Sequence, residues 1–141
     1  MRPKLKVLIL EDDAMIAEMT AEILVANDYE VCGVAEGSDA AMSLARLRAP
    51  DIALVDLRLA NGERGTDVAA RLQTLGRIGI LYTTGNAARG GLEGAVGEAR
   101  LIKPYPYDDL LRAIELVAEI VATGEASPPF PVSFRRLRNW A

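Results

Sequence analysis

The chain has no histidine, one cysteine and seven aromatic side chains in 141 residues. Its apolar runs all stop well short of the roughly 20 residues that a membrane-spanning helix needs. Each shortage removes a class of function. Without histidine there is no Ser-His triad, no imidazole general base and no His-Cys metal site. A single thiol, Cys32, cannot build a disulfide framework, and its place inside an apolar run marks it as a small buried residue. A reducing, cytoplasmic setting is therefore expected. The opening MRPKLK and the VLIL after it are too short for a signal peptide and run straight into three carboxylates, so no membrane association is expected.

What is present is an ordinary globular balance, half apolar and about a quarter charged, of a length that suits one domain. Net charge is −4, but it is unevenly spread. The stretch 124–141 holds Arg135, Arg136 and Arg138 against Glu125, a balance of +2 that leaves −6 on residues 1–123. An acidic body does not attract nucleic acid, and three arginines make too few phosphate contacts to change that. The expected division is a folded domain over 1–123 and a Pro-containing basic tail over 124–141. In that tail Phe134 and Trp140 are candidate anchors for a protein contact, weighed against an ordinary frayed terminus.

Strand and helix patterns alternate along the body. Short apolar runs at Lys6–Leu10, Glu30–Ala35, Ile52–Asp56, Ile78–Thr83 and Arg100–Ile102 read as strands. Helices are expected over Ala14–Ala26 with Ile16, Met19 and Ile23 inward, from an N-cap at Ser38 to Leu47, and from a cap at Thr66 or Asp67 through Val68, Leu72 and Leu75. A last helix is expected from Asp108 to about Ala122. The glycine-rich stretch 85–99 supports only a short, weakly held helix, with mobility. Five alternations argue for a parallel sheet with helices on both faces.

In such a sheet the C-terminal strand ends share one edge, where ligands bind. Collected there are Glu11, Asp12, Asp56, Thr84 and Lys103. Three crowded carboxylates require a cation, and a hard divalent ion such as Mg²⁺ takes carboxylates, a carbonyl and waters. A carboxylate can also attack a phosphoryl group, provided that metal, cation and hydroxyl groups balance the developing charge. Taken singly, Asp13 is better read as a helix N-cap.

EDD after the first strand, VD after the third, TTG after the fourth and KP after the fifth together resemble the receiver domain of bacterial response regulators, over residues 4 to about 123. The resemblance implies a flavodoxin-like, doubly wound, five-stranded parallel sheet of order 2-1-3-4-5. It implies that Asp56 takes phosphate from a sensor histidine kinase or histidine phosphotransfer protein, with Lys103 and Thr84 assisting. Asp12 and Asp56 would bind Mg²⁺ directly, Glu11 through water, and the backbone carbonyl of Arg58 would complete the set. It further implies a cis Lys103-Pro104 bond, and Arg58 and Asn86 placed to tune hydrolysis. Output would run by contact with a downstream protein, with a homodimer formed through the fourth-strand to last-helix face or the tail.

Arg100 stands where the family usually has an aromatic, the loop LANGERG is longer than usual, and stretch 85–99 is similar to receivers with a reduced fourth helix. A tail of about 18 residues is too short for an effector domain, so a stand-alone receiver acting as regulator, shuttle or sink is expected. The alternatives are a phosphate-independent pseudo-receiver and an aspartyl phosphatase. The pseudo-receiver would lack one of the site residues, and the phosphatase would need an acid where Arg58 stands.

Overall fold

The computed structural model describes residues 3–59, 62–85, 92 and 94–137. In chain order the elements are β1 (Lys6–Leu10), α1 (Ala14–Ala26), β2 (Glu30–Ala35), α2 (Ser38–Arg48), β3 (Ile52–Asp56), α3 (Gly65–Gln73), β4 (Gly79–Thr84), β5 (Ala99–Ile102), α4 (Tyr107–Thr123) and β6 (Arg135–Arg136). The first five strands are parallel in the order β2-β1-β3-β4-β5, as expected. The expected five strands become six, because β6 joins the outer edge of β5 antiparallel, with Ala99 opposite Arg136 and Arg100 opposite Arg135. A two-residue strand of arginines carries no apolar periodicity, so nothing local marks it as a strand.

The central strands are buried on both faces, which is why they read as unbroken apolar runs. One face packs Ile9, Leu54, Leu81 and Leu101 against Leu24 of α1 and Leu110, Ile114 and Val117 of α4. The other packs Leu8, Val55, Ile80 and Tyr82 against Ala41 and Ala45 of α2 and Val68 and Leu72 of α3. Burial on this scale, at about 25 cal/mol per Å² of apolar surface, is the main term that orders the sheet and so aligns the strand ends.

Helix α1 turns a different face inward from the one expected. Ala17, Thr20 and Leu24 are buried, whereas Ile16 and Met19 are exposed and Ile23 is only partly covered. Both triplets satisfy helical spacing. Small Ala17 and Thr20 permit close approach to the sheet, and that approach decides between them. Asp13 caps the helix through hydrogen bonds from the amides of Met15 and Ile16, at 3.0 and 3.1 Å, and Asn27 ends it.

Two caps also differ from expectation. The N-cap of α2 is Gly37, and the amide of Ser38 is satisfied by the Glu63 carboxylate at 3.0 Å, from the loop after β3. Helix α3 begins at Gly65 after Arg64 and stops at Gln73, leaving Leu75 exposed. Gly65 is required by proximity, since a Cβ there would lie 2.1 Å from the carbonyl oxygen of Asp56. The expected weak helix of stretch 85–99 falls largely on residues 86–91 and 93, outside the described residues. Among the described residues no helix separates β4 from β5, and none is long and apolar enough to cross a membrane.

Candidate phosphoacceptor site

Three strands end together and deliver an acid, a second acid and a base. Asp56 is the last residue of β3, Glu11 directly follows β1 and Lys103 directly follows β5. The ladders carry on one residue past the strands, with the Glu11 amide on the Ala35 carbonyl at 3.0 Å and the Lys103 amide on the Thr84 carbonyl at 2.7 Å. The side chains therefore project from fixed backbone. The ammonium of Lys103 bridges the acids, 3.1 Å from Asp56 Oδ2 and 3.2 Å from Glu11 Oε1. Carboxylate oxygens of Glu11, Asp12 and Asp56 all lie within 4.8 Å of one another.

Electrostatics follow from the crowding. Burial pushes the Glu11 carboxyl above its usual range, and the nearby Asp56 charge adds to that, against opposing help from the Asp13 amide and Lys103. Burial works against the Lys103 charge, but Asp56 and Glu11 outweigh it and its pKa is raised. Proximity of a lysine normally lowers a carboxyl pKa, so the rise at Glu11 shows that burial and a second acid dominate there. Three hard oxygen donors at this spacing, one buried and one exposed, could hold a metal ion and suit a hard cation better than a soft one.

The loop after β3 is also ordered around Asp56. The Arg58 amide donates to Asp56 Oδ1 at 3.2 Å, and Arg58 pairs with Arg64 in an antiparallel bridge. Flanking bonds run from the Leu59 amide to the Glu63 carbonyl and from the Gly65 amide to the Leu57 carbonyl. Neither uses the Arg58 carbonyl.

The sequence of residues 7–115 matches the response regulator receiver domain. The chain belongs to this family. Among similar proteins is the transcriptional regulatory protein PdtaR of Mycobacterium tuberculosis, 34% identical over 114 residues, which covers 79% of this chain and 55% of that one. This receiver thus spans about half the length of the curated relatives it matches. Among solved structures, the signal receiver domain of a modulated diguanylate cyclase from Desulfovibrio desulfuricans is 30% identical with a TM-score of 0.75, covering 86% of this chain and 99% of that one. A CheY-like receiver from Methanospirillum hungatei has a TM-score of 0.77 at 24% identity, with the same coverage, and supports the fold.

Of the residues expected at the site, Glu11, Asp12, Asp56 and Lys103 lie together in this receiver. Thr84 ends β4, buried, in register with Ile102, and its carbonyl accepts from the Lys103 amide. Strand alternation puts Thr84 on the Tyr82 face and Thr83, the register partner of Asp56, on the Leu81 face. The Lys103-Pro104 bond is cis. Asn86, Arg138 and Trp140 lie outside the described residues.

Two neighbours were not singled out from sequence. Thr83 and Tyr105 line a cavity of about 20 Å³ with Glu11 and Thr20. Burial pushes the Tyr105 hydroxyl up to about 12. The aromatic two residues past Lys103 was the available signal for Tyr105, and the polar end of the expected strand Ile78–Thr83 was the signal for Thr83.

Arg100 has found an unexpected partner. Its guanidinium donates to the Ser133 carbonyl at 3.3 Å, so the tail supplies the acceptor. Phe134, proposed as an anchor for another protein, is seated instead in this chain's own core and is 8% exposed.

Proposed function

We propose that this receiver is a phosphorylation-dependent signalling switch over residues 1–123, taking a phosphoryl group on Asp56 from a histidine kinase or histidine phosphotransfer protein and signalling by protein contact. The observation that carries the proposal is the Lys103 ammonium held within 3.2 Å of both Asp56 and Glu11. An Asp56 oxygen attacks phosphorus, the bond to the donor imidazole nitrogen breaks, and that nitrogen leaves with the electron pair. In this reading Lys103 balances the charge gathered on the phosphoryl oxygens, and Thr84 donates a hydrogen bond to them.

Glu11, Asp12, Asp56 and the Arg58 carbonyl are the residues that would hold Mg²⁺, which when bound neutralises phosphoryl charge and so permits attack by an anion. Met15, Ile16 and Met19 form an exposed apolar stripe that starts two residues past the acids, a surface for the phosphodonor protein to cover. The proposed activity is a switch acting on its own side chain rather than an enzyme turning over an external substrate. It is proposed to work inside the cell, where such donors are found.

Treatment with acetyl phosphate, with and without Mg²⁺, followed by intact mass tests the proposal. One adduct is expected, dependent on Mg²⁺ and absent from Asp56→Asn. An unmodified wild type that still binds its partner would show a module that works without phosphate.

A further inference from the structure

Residues 127–137 of the tail are built into the fold by a chain of specific bonds. Ser127 is held by the Glu119 carboxylate through its amide at 2.9 Å and its hydroxyl at 2.5 Å. Arg112 of α4 donates to the carbonyls of Ser127 and Pro129 at 2.6 and 2.9 Å. Phe130 stacks on Phe134, whose ring enters the core beside α4. From there the chain runs back along β5. The Leu137 amide meets the Glu98 carbonyl at 2.9 Å, β6 pairs with Ala99 and Arg100, and the Ser133 hydroxyl takes over at Ile102.

The last of these contacts touches the chemistry. Lys103 turns its amide inward to Thr84, so Ile102 turns its own amide and carbonyl outward, to the edge that β6 does not reach. Ser133 Oγ accepts from the Ile102 amide at 3.3 Å and donates to its carbonyl at 3.4 Å. Both bonds are long, and the hydroxyl serves in place of a strand at the residue directly before Lys103. The backbone from which the bridging ammonium projects is therefore fixed by β4 on one side and by the tail on the other.

We propose that the tail is a coupled part of the site: Ser133 is a positioning residue for Lys103, and phosphorylation of Asp56 releases residues 133–137 from the edge of β5. The proposal rests on the phosphoacceptor reading for its trigger. The docked tail accompanies Lys103 on the free carboxylates of Asp56 and Glu11. A phosphoryl group places its oxygens beyond Asp56, and an ammonium that follows them draws Ile102 away from two bonds already near the limit of hydrogen bonding. By linkage, whatever loosens the tail favours the phosphorylated form by the same factor. Release uncovers the outward backbone of Ala99–Ile102 and the seat of Phe134, an open edge to which an extended segment of a downstream protein can add as a strand.

Protection of a sheet edge by a short arginine strand is an ordinary structural role, and the experiment separates it from coupling. Hydrogen exchange on the full chain is read at the amides of Ile102 and residues 134–137, before and after acetyl phosphate with Mg²⁺, with intact mass on the same samples. Exchange about fivefold faster or more in the adduct, and unchanged in treated Asp56→Asn, is expected. An adduct with unchanged or slower exchange overturns the coupling and leaves the phosphoacceptor reading standing. Absence of an adduct overturns that reading instead. The positioning is then read without phosphate, from the amide and ammonium nitrogen resonances of Lys103 in Ser133→Ala and Ser133→Thr. Displacement by alanine and restoration by threonine support it, and resonances equal in all three proteins overturn it.

Discussion

The acid end of the sheet and its outer edge solve opposite problems. At the first, Glu11, Asp12 and Asp56 are brought close enough to repel, and Lys103 restrains them without removing the crowding. At the second, the outward groups of β5 would be left open, and the tail closes them with backbone pairing, a buried ring and a hydroxyl. One region holds strain in readiness for a ligand, while the other spends chain length to remove exposure. The two meet at Ile102 and Lys103, so a perturbation of either can be read in the other.

The contrast breaks most severely at Phe134. Phe134→Ala empties a core seat at the edge and is expected to cost about 3 kcal/mol or more, seen as a lower midpoint in urea. If the stability is unchanged, the tail adds nothing to the core and the two regions are independent.

Lys103→Met works on the acid end. With the restraint gone, the midpoint of thermal unfolding in a chelator should fall by the equivalent of about 1–2 kcal/mol, less than for a fully buried pair because water reaches the site. Mg²⁺ should then raise that midpoint more than it raises the wild type's. A variant whose midpoint ignores Mg²⁺ would show that the three acids do not act as a cation site.

A smaller effect, on alkaline stability, sharpens the comparison. Burial pushes the ionisation of Tyr82 well up, and its hydroxyl donates to the Val96 carbonyl at 2.5 Å, while Tyr105 is raised to about 12. Both groups keep their protons in the folded state at pH values where the unfolded chain, near 10, loses them. The folded state then binds more protons, so stability falls as pH rises from about 10 towards 12. Tyr82→Phe should lose about 1 kcal/mol at pH 7 and show a shallower fall, measured as thermal midpoint between pH 8 and 11. An equally steep fall would mean that the hydroxyl of Tyr82 is not held protonated by the fold.

Much of the acid end was legible because each of its residues sits at a strand end or within two residues of one. A buried strand declares itself as a run such as IALVD, its polar terminus falls at the edge, and parallel order brings those termini together, so short local patterns determined a distant assembly. The same locality explains Asp13, whose cap uses only the amides of Met15 and Ile16, two and three residues on. Where the deciding partner was remote, the sequence was silent. Ile16 and Met19 satisfied helical periodicity as well as Ala17 and Thr20 did, and only the distance to the sheet chose between them. Ser38 looked like a cap, but a carboxylate 25 residues away took that role.

By itself, then, the sequence determined the order of strands and helices, the five residues expected at the strand ends and the missing chemistry of histidine and disulfides, because all of these follow from residue type and near spacing. Only the tertiary structure decided that Lys103 spans two acids, that Arg100 is answered by the Ser133 carbonyl, and that the tail contributes a sixth strand, Arg135–Arg136, with Phe134 in the core. Those outcomes depend on segments about 30 to 90 residues apart meeting at one edge, and no local pattern records a meeting of that kind.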